Sequence, residues 1–143
     1  MLAVITSDFG FWAALQVARD PLIRVVLATP PGLLAGASAS ERARVNALLE
    51  HILPVSARAA GLRSDTAAGK RLAPAPLAAV RAPTLIVSAA DDGYGTYASA
   101  QYTARGIAGA RFIGLPEGGH TWVGHNDAVL AAIASLLAAG AGR

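Results

Sequence analysis

The sequence predicts an α/β chain in which a helical segment over residues 1–72 precedes a parallel strand–helix–strand–helix unit over residues 73–143. Three observations carry this expectation. Thr84-Leu85-Ile86-Val87-Ser88-Ala89 and Ala110-Arg111-Phe112-Ile113-Gly114-Leu115 are short, largely apolar runs bounded by Pro, Gly or Asp, as strands of a covered parallel sheet are. A segment of helical length follows each run, which is the order of a βαβ unit with a right-handed crossover. Before residue 73 the chain reads instead as short helices interrupted by Pro and Gly.

Taken in order, Leu2–Thr6 is a weak strand candidate. Asp8–Arg19 sets Phe9, Trp12, Ala13, Leu15 and Val17 on an imperfect helical stripe. Asp20-Pro21 ends that helix and starts the next, because Pro is tolerated in a first helical turn. Val25–Thr29 is a second weak strand candidate, and Pro30-Pro31-Gly32 is a turn. Ser38-Ala39-Ser40-Glu41 has capping-box spacing, with Ser38 placed to accept the Glu41 amide and Glu41 to reach back. The helix after it puts Val45, Leu48, Leu49, Ile52 and Leu53 on one face. Pro54 opens another turn, and the polar Gly61–Gly69 stretch reads as loop.

After Ala73-Pro74-Ala75-Pro76 a short helix leads to the first strand. Asp91-Asp92-Gly93-Tyr94-Gly95 is a loop, a helix covers Tyr97–Gly106, and Pro116-Glu117-Gly118-Gly119-His120 is the loop after the second strand. Asn126 or Asp127 caps a last helix with Val129, Ile133, Leu136 and Leu137 facing inward. Two clear strands are few, since a two-stranded sheet is marginal in water. The unit is therefore expected to be incomplete, or to pair with another copy of itself.

Composition bounds the function. The 143 residues are one domain's length, and 54% hydrophobic with 15% charged residues excludes a disordered chain, although 34 Ala inflate the first figure. Mean hydropathy is +0.46. The absence of Cys excludes disulfides, thiolate metal sites and a Cys nucleophile. The net charge of +3 comes from scattered Arg, with no stripe suited to nucleic acid. Met1–Asp8 lacks the basic start of an export signal. The longest uncharged stretches are residues 25–40, broken by Pro30-Pro31, and the 15 residues 128–142. The second is short of the ~18 residues that suggest a membrane span. A cytoplasmic chain without membrane or nucleic-acid partners is expected.

In an open parallel sheet, chemistry collects in the loops at the carboxyl ends of the strands. Here those loops carry Asp91 and Asp92 in one and His120 in the other. A carboxylate orienting an imidazole through Nδ1–H, with the other nitrogen free as a base, is the acid–base half of a catalytic triad. Each loop also has an ordinary reading. Asp-Asp-Gly is a common turn in which Asp satisfies local amides, and a single loop His is commonly a surface residue. His51 reads as structural or exposed. Asp91, Asp92, His120 and His125 form a conceivable metal set, but no His-x-x-Glu-His or His-Glu-x-x-His spacing supports it.

Residues 74–138 resemble the C-terminal half of an α/β-hydrolase. The likeness is carried by Ala82-Pro83-Thr84-Leu85-Ile86-Val87-Ser88-Ala89-Ala90-Asp91-Asp92, by Ala110-Arg111-Phe112 and by Gly118-Gly119-His120. The resemblance implies that Asp92 is the triad acid and His120, 28 residues on, the triad base, in the family's order. Ala89 stands where the family usually has Gly. Residues 1–72 would be a helical cap, with Phe9, Phe11 and Trp12 packing in its core or touching substrate. The family needs no cofactor, and no metal is implied.

The family's Gly-x-Ser-x-Gly is absent. Of eight Ser, only Ser38 in Gly36-Ala37-Ser38-Ala39-Ser40 comes near it, and a helix cap accounts for Ser38. The oxyanion donors of the family's early His-Gly loop and of the residue after the nucleophile are missing too. The resemblance thus implies the acid- and His-bearing part of a serine hydrolase whose full-length parent acts on a small ester-like substrate. The alternative is a non-catalytic remnant that self-associates through an exposed sheet edge.

Overall fold

Ser7 starts the first helix. In the computed structural model, which describes residues 7–69, 71–73 and 75–141, the Ser7 hydroxyl accepts the Gly10 amide at 3.0 Å, and α1 runs Asp8–Val17. The weak strand candidate Leu2–Thr6 lies outside the described residues. Helix α1 buries Phe11 and Leu15, one turn apart, and leaves Phe9 77% and Trp12 51% exposed. The buried stripe is therefore rotated from the expected one. After a break at Ala18, α2 spans Arg19–Val26, with Pro21 in its first turn, where the missing N–H costs no intrahelical bond.

Val25–Thr29 is not a strand. Val25 and Val26 complete α2, and the chain then turns at Ala28 with φ +45°. Leu22, Ile23 and Val26 lie on one helical face and join the cluster of Phe11 and Leu15. Helical burial there overrides the β preference of the two valines. A short α3 (Leu33–Gly36) follows the Pro30-Pro31 turn. Helix α4 (Ala39–Glu50) is capped as expected on one side, the Ser38 hydroxyl accepting the Glu41 amide at 3.2 Å. The other half of the capping box is replaced, because the Glu41 carboxylate turns to Arg44 at 3.0 Å. Val45 and Leu49 are wholly buried, while Leu48 is exposed.

The polar stretch Gly61–Gly69, expected as loop, is the second half of α5 (Val55–Gly69). Ala, Leu and Arg favour helix whether or not a face is buried, and α5 buries none of its residues. Its start is tied to α1 by Asp8, whose carboxylate accepts the Ser56 amide at 2.9 Å and the Ser56 hydroxyl at 2.6 Å.

A 3₁₀ turn (Leu77–Ala79) leads to β1 (Leu85–Ala89), and α6 (Tyr97–Gly106) crosses to β2 (Arg111–Leu115). The two strands pair in parallel from Leu85 opposite Arg111 to Ala89 opposite Leu115. The last helix, α7, spans Asn126–Ala141. It buries Val129 and half-buries Ile133 and Leu136, but Leu137 is 67% exposed. The strands are less covered than their apolar runs predict. On β1 only Ser88 and Ala89 are buried, and on β2 only Leu115. Among the described residues each strand has a single neighbour, so each keeps an open side.

Two apolar clusters result. One joins α1, α2 and α4 through Phe11, Leu15, Leu22, Ile23, Val45 and Leu49, and it also takes in Val123 from the loop after β2. The other joins Ala89, Leu115 and Val129 beneath the sheet. Among the described residues no helix is long and apolar enough to cross a membrane. Leu49→Ala is expected to cost about 2–5 kcal/mol in urea denaturation, as truncation in a packed core does. Leu62→Ala, on the exposed face of α5, is expected to change stability by no more than about 0.5 kcal/mol.

Candidate active site

The parallel register ends Ala89 beside Leu115, so the loops that leave the two strands start side by side. Asp92 and His120, three and five residues further on, meet across them. His120 Nδ1 lies 2.9 Å from Asp92 Oδ2. An ionised carboxylate only accepts, so Nδ1 is the donor, and in the neutral ring this leaves the lone pair on Nε2. Among the described residues nothing hydrogen-bonds to Nε2. The two side chains differ in exposure, 3% for Asp92 and 49% for His120. The carboxylate is thus held beneath the surface and the imidazole stands at the rim, open to an incoming group.

Asp92 is fully engaged. Its Oδ1 accepts the Tyr94 amide at 2.8 Å, and its Oδ2 accepts the Thr96 hydroxyl as well as His120. Since Thr96 gives its one proton to Asp92, the Ser88 hydroxyl donates to Thr96 at 3.0 Å. Burial acts to raise the Asp92 pKa, but the hydrogen bonds from His120, Thr96 and the Tyr94 amide outweigh it and hold the carboxyl below its ordinary 3.8. The pair therefore keeps its carboxylate ionised at neutral pH.

The His120 loop is fastened from three directions. Asp91 reaches from the loop after β1 and accepts the amides of Gly118 at 3.2 Å and Gly119 at 2.8 Å. The segment after α2 contributes main chain. The Ala28 carbonyl accepts the Gly93 amide at 2.9 Å and the His120 amide at 3.3 Å, so one oxygen spans both loops. Thr29 Oγ donates to the Leu27 carbonyl and accepts the Thr121 amide at 3.2 Å. From α4, Arg44 donates to the Thr121 carbonyl at 2.7 Å, and Glu41 accepts the Gly124 amide at 3.0 Å. Hydrogen bonding from Arg44 is the main cause that lowers the Glu41 pKa. Beside the imidazole, the Tyr94 ring stands edge-on at 4.9 Å, its hydroxyl donating to the Val26 carbonyl at 2.7 Å.

Among the described residues, two non-glycine residues have positive φ, Ala28 at +45° and Trp122 at +56°. Both flank this site, where backbone strain tends to be stored. Gly119 has φ +60°, and a Cβ there would stand 2.7 Å from Thr29 Cα. Only glycine lets the loop pass this close to the segment after α2.

The two expected site residues, Asp92 and His120, are thus brought together. The other candidates are not. Asp91 is occupied by glycine amides, and among the described residues no three His, Asp or Glu side chains group to hold a metal ion. His51 is exposed. Phe11 belongs to the helical core, and Phe9 and Trp12 stack on each other at 5.9 Å on the surface of α1. Sequence reasoning missed the parts played by Ala28, Thr29, Glu41, Arg44 and Thr96. Thr96 had a local signal, standing four residues after Asp92. The contacts that Ala28 and Thr29 make with the two loops span 65 to 92 residues and leave no trace in local spacing. Compared with family models, with curated proteins and with solved structures, the chain matches none.

Gly119→Ala is expected to destabilise the fold by about 2–5 kcal/mol, combining left-handed backbone strain with overpacking. Gly109→Ala, at φ +77° with open space around it, is expected to cost only about 1–2 kcal/mol. Denaturation of the two variants separates the Thr29 contact from the backbone term. Stability is also expected to fall in acid. Asp92 and Glu41 have depressed values in the folded chain, so the unfolded chain binds protons first as pH drops. Their contribution is complete above the ordinary values of 3.8 and 4.5 and is lost as pH falls through the depressed ones. Urea midpoints between about pH 6 and 2.5 are expected to fall steadily below about pH 4, and less steeply for Asp92→Asn.

Proposed function

We propose that this chain carries the acid–base half of a serine-type hydrolase of esters or similar carbonyl compounds, in an α/β-hydrolase arrangement. The observation that supports it is the 2.9 Å contact from His120 Nδ1 to Asp92 at the carboxyl ends of adjacent parallel strands, with Nε2 unengaged. In this reading Asp92 fixes the tautomer and offsets the imidazolium charge. His120 Nε2 takes the proton of the attacking hydroxyl and returns it to the leaving alkoxide. The 143 residues contain no Gly-x-Ser-x-Gly, so the nucleophile and the oxyanion donors come from other polypeptide. Residues 1–72 act in this reading as a helical cap that also braces the His120 loop.

Oxyanion stabilisation is usually the largest single catalytic contribution, so the 143-residue chain by itself is expected to hydrolyse a p-nitrophenyl ester no faster than its His120→Ala variant. A clear excess over that variant would contradict the division of the machinery. The nucleotide sequence upstream of the Met1 codon is the decisive companion. An in-frame strand followed by Gly-x-Ser-x-Gly supports the proposal, and in that longer protein Asp92→Asn is expected to lower kcat by about 10⁴ and His120→Ala by about 10⁶. Unchanged turnover in those variants sinks it.

One observation favours a second reading, a non-catalytic module that associates with itself. Among the described residues the sheet has two half-covered strands, and such a sheet gains by adding a neighbour. A chain that sediments as a dimer, and whose dimer dissociates when Pro is placed at Val87, supports this reading. A monomer at all accessible concentrations removes it.

A further inference from the structure

We infer that Asp91 is a positioning residue for the Asp92–His120 pair, its carboxylate holding the two glycine amides on which the His120 loop is built. The inference deepens the catalytic reading above and rests on it for its functional meaning. The two aspartates follow one another in the turn that leaves β1, closed by the Asp92 amide donating to the Ala89 carbonyl at 3.2 Å, and they take different partners. Asp92 holds the imidazole itself. Asp91 holds the backbone that carries it, with Oδ2 on the Gly118 amide at 3.2 Å and Oδ1 on the Gly119 amide at 2.8 Å.

The fit is specific to a carboxylate. Gly118 and Gly119 are buried, and their left-handed φ values of +127° and +60° present two consecutive N–H groups to one side. A carboxylate offers two acceptors and no donor, so both amides are satisfied. An amide side chain of the same shape would set its NH₂ group against one of them. The Gly119 amide is one residue from His120. The loop after β1 therefore fixes the imidazole at both ends, its backbone through Asp91 and its ring through Asp92. The remaining bond to the His120 amide, from the Ala28 carbonyl, is longer at 3.3 Å and leaves Asp91 the stronger anchor.

The test is Asp91→Asn in the full 143-residue chain, read by two-bond ¹H–¹⁵N NMR of the imidazole rings. In the unsubstituted protein His120 is expected as the Nδ1–H tautomer that Asp92 requires. In Asp91→Asn the tautomer ratio is expected to move about five- to thirtyfold toward Nε2–H, the change that losing one or two ordinary hydrogen bonds brings. His51, at the end of α4, serves as the internal reference and is expected to stay unchanged. A folded variant with the His120 ratio unaltered overturns the inference. If the variant does not fold, hydrogen exchange in the unsubstituted protein decides. Slow exchange at both Gly118 and Gly119 supports the anchor, and free-peptide rates at either overturn it. Neither readout involves ester turnover, so failure here and failure of the hydrolase reading are separate results.

Discussion

The main chain at Ala28 and Thr29 is wedged between the loops that follow β1 and β2, and the arrangement of the site depends on that contact. One carbonyl, from Ala28, accepts an amide from each loop. One hydroxyl, from Thr29, accepts the amide of Thr121. Both residues are almost wholly buried, where an unmet N–H costs about 1–3 kcal/mol. Removing the wedge would take these acceptors from the Gly93, His120 and Thr121 amides, so both loops depend on it. The positive φ of Ala28 is the local strain this placement requires, and it is offset by the bonds that the turn makes possible.

Further contacts join the helical segment to the His120 loop near the site. Val123, three residues past His120, packs in the helical core with Phe11 and Leu49. Arg44 and Glu41 on α4 bind the carbonyl of Thr121 and the amide of Gly124. The two-stranded sheet is too small to order long loops unaided. The helices supply the missing order from the other side. Their contribution goes mostly to backbone groups of residues 120–124, leaving the imidazole at the rim.

Two adjacent carboxylates do different work because their surroundings differ. Asp92 is buried and receives His120, Thr96 and the Tyr94 amide, which keeps it charged in spite of burial. Asp91 is half-buried and meets only backbone amides of glycine. A buried charge is tolerable where every lone pair finds a donor. Here those donors converge from both loops. The outcome is a rim imidazole of fixed tautomer, the property that proton transfer at Nε2 asks for.

Local pattern was enough for β1, α6, β2 and α7, whose apolar runs, breakers and lengths are contiguous in the chain, and for the Ser38 cap, which spans three residues. It also placed Asp92 and His120 at neighbouring strand ends, because parallel pairing of consecutive strands follows from connectivity. Periodicity failed where one feature had two uses. Val25-Val26 has β preference but completes a helical face, and the polar residues of α5 mark an exposed helix as readily as a loop. The sequence by itself therefore determined the strand–helix order and the residues that could meet across it. Only the tertiary structure decided which face of α1 is buried, that Asp91 holds glycine amides instead of closing a local turn, and that Ala28, Thr29, Glu41 and Arg44 brace the His120 loop. Those contacts join residues some 27 to 92 positions apart, and local spacing carries no record of which distant amide a carbonyl or carboxylate will find.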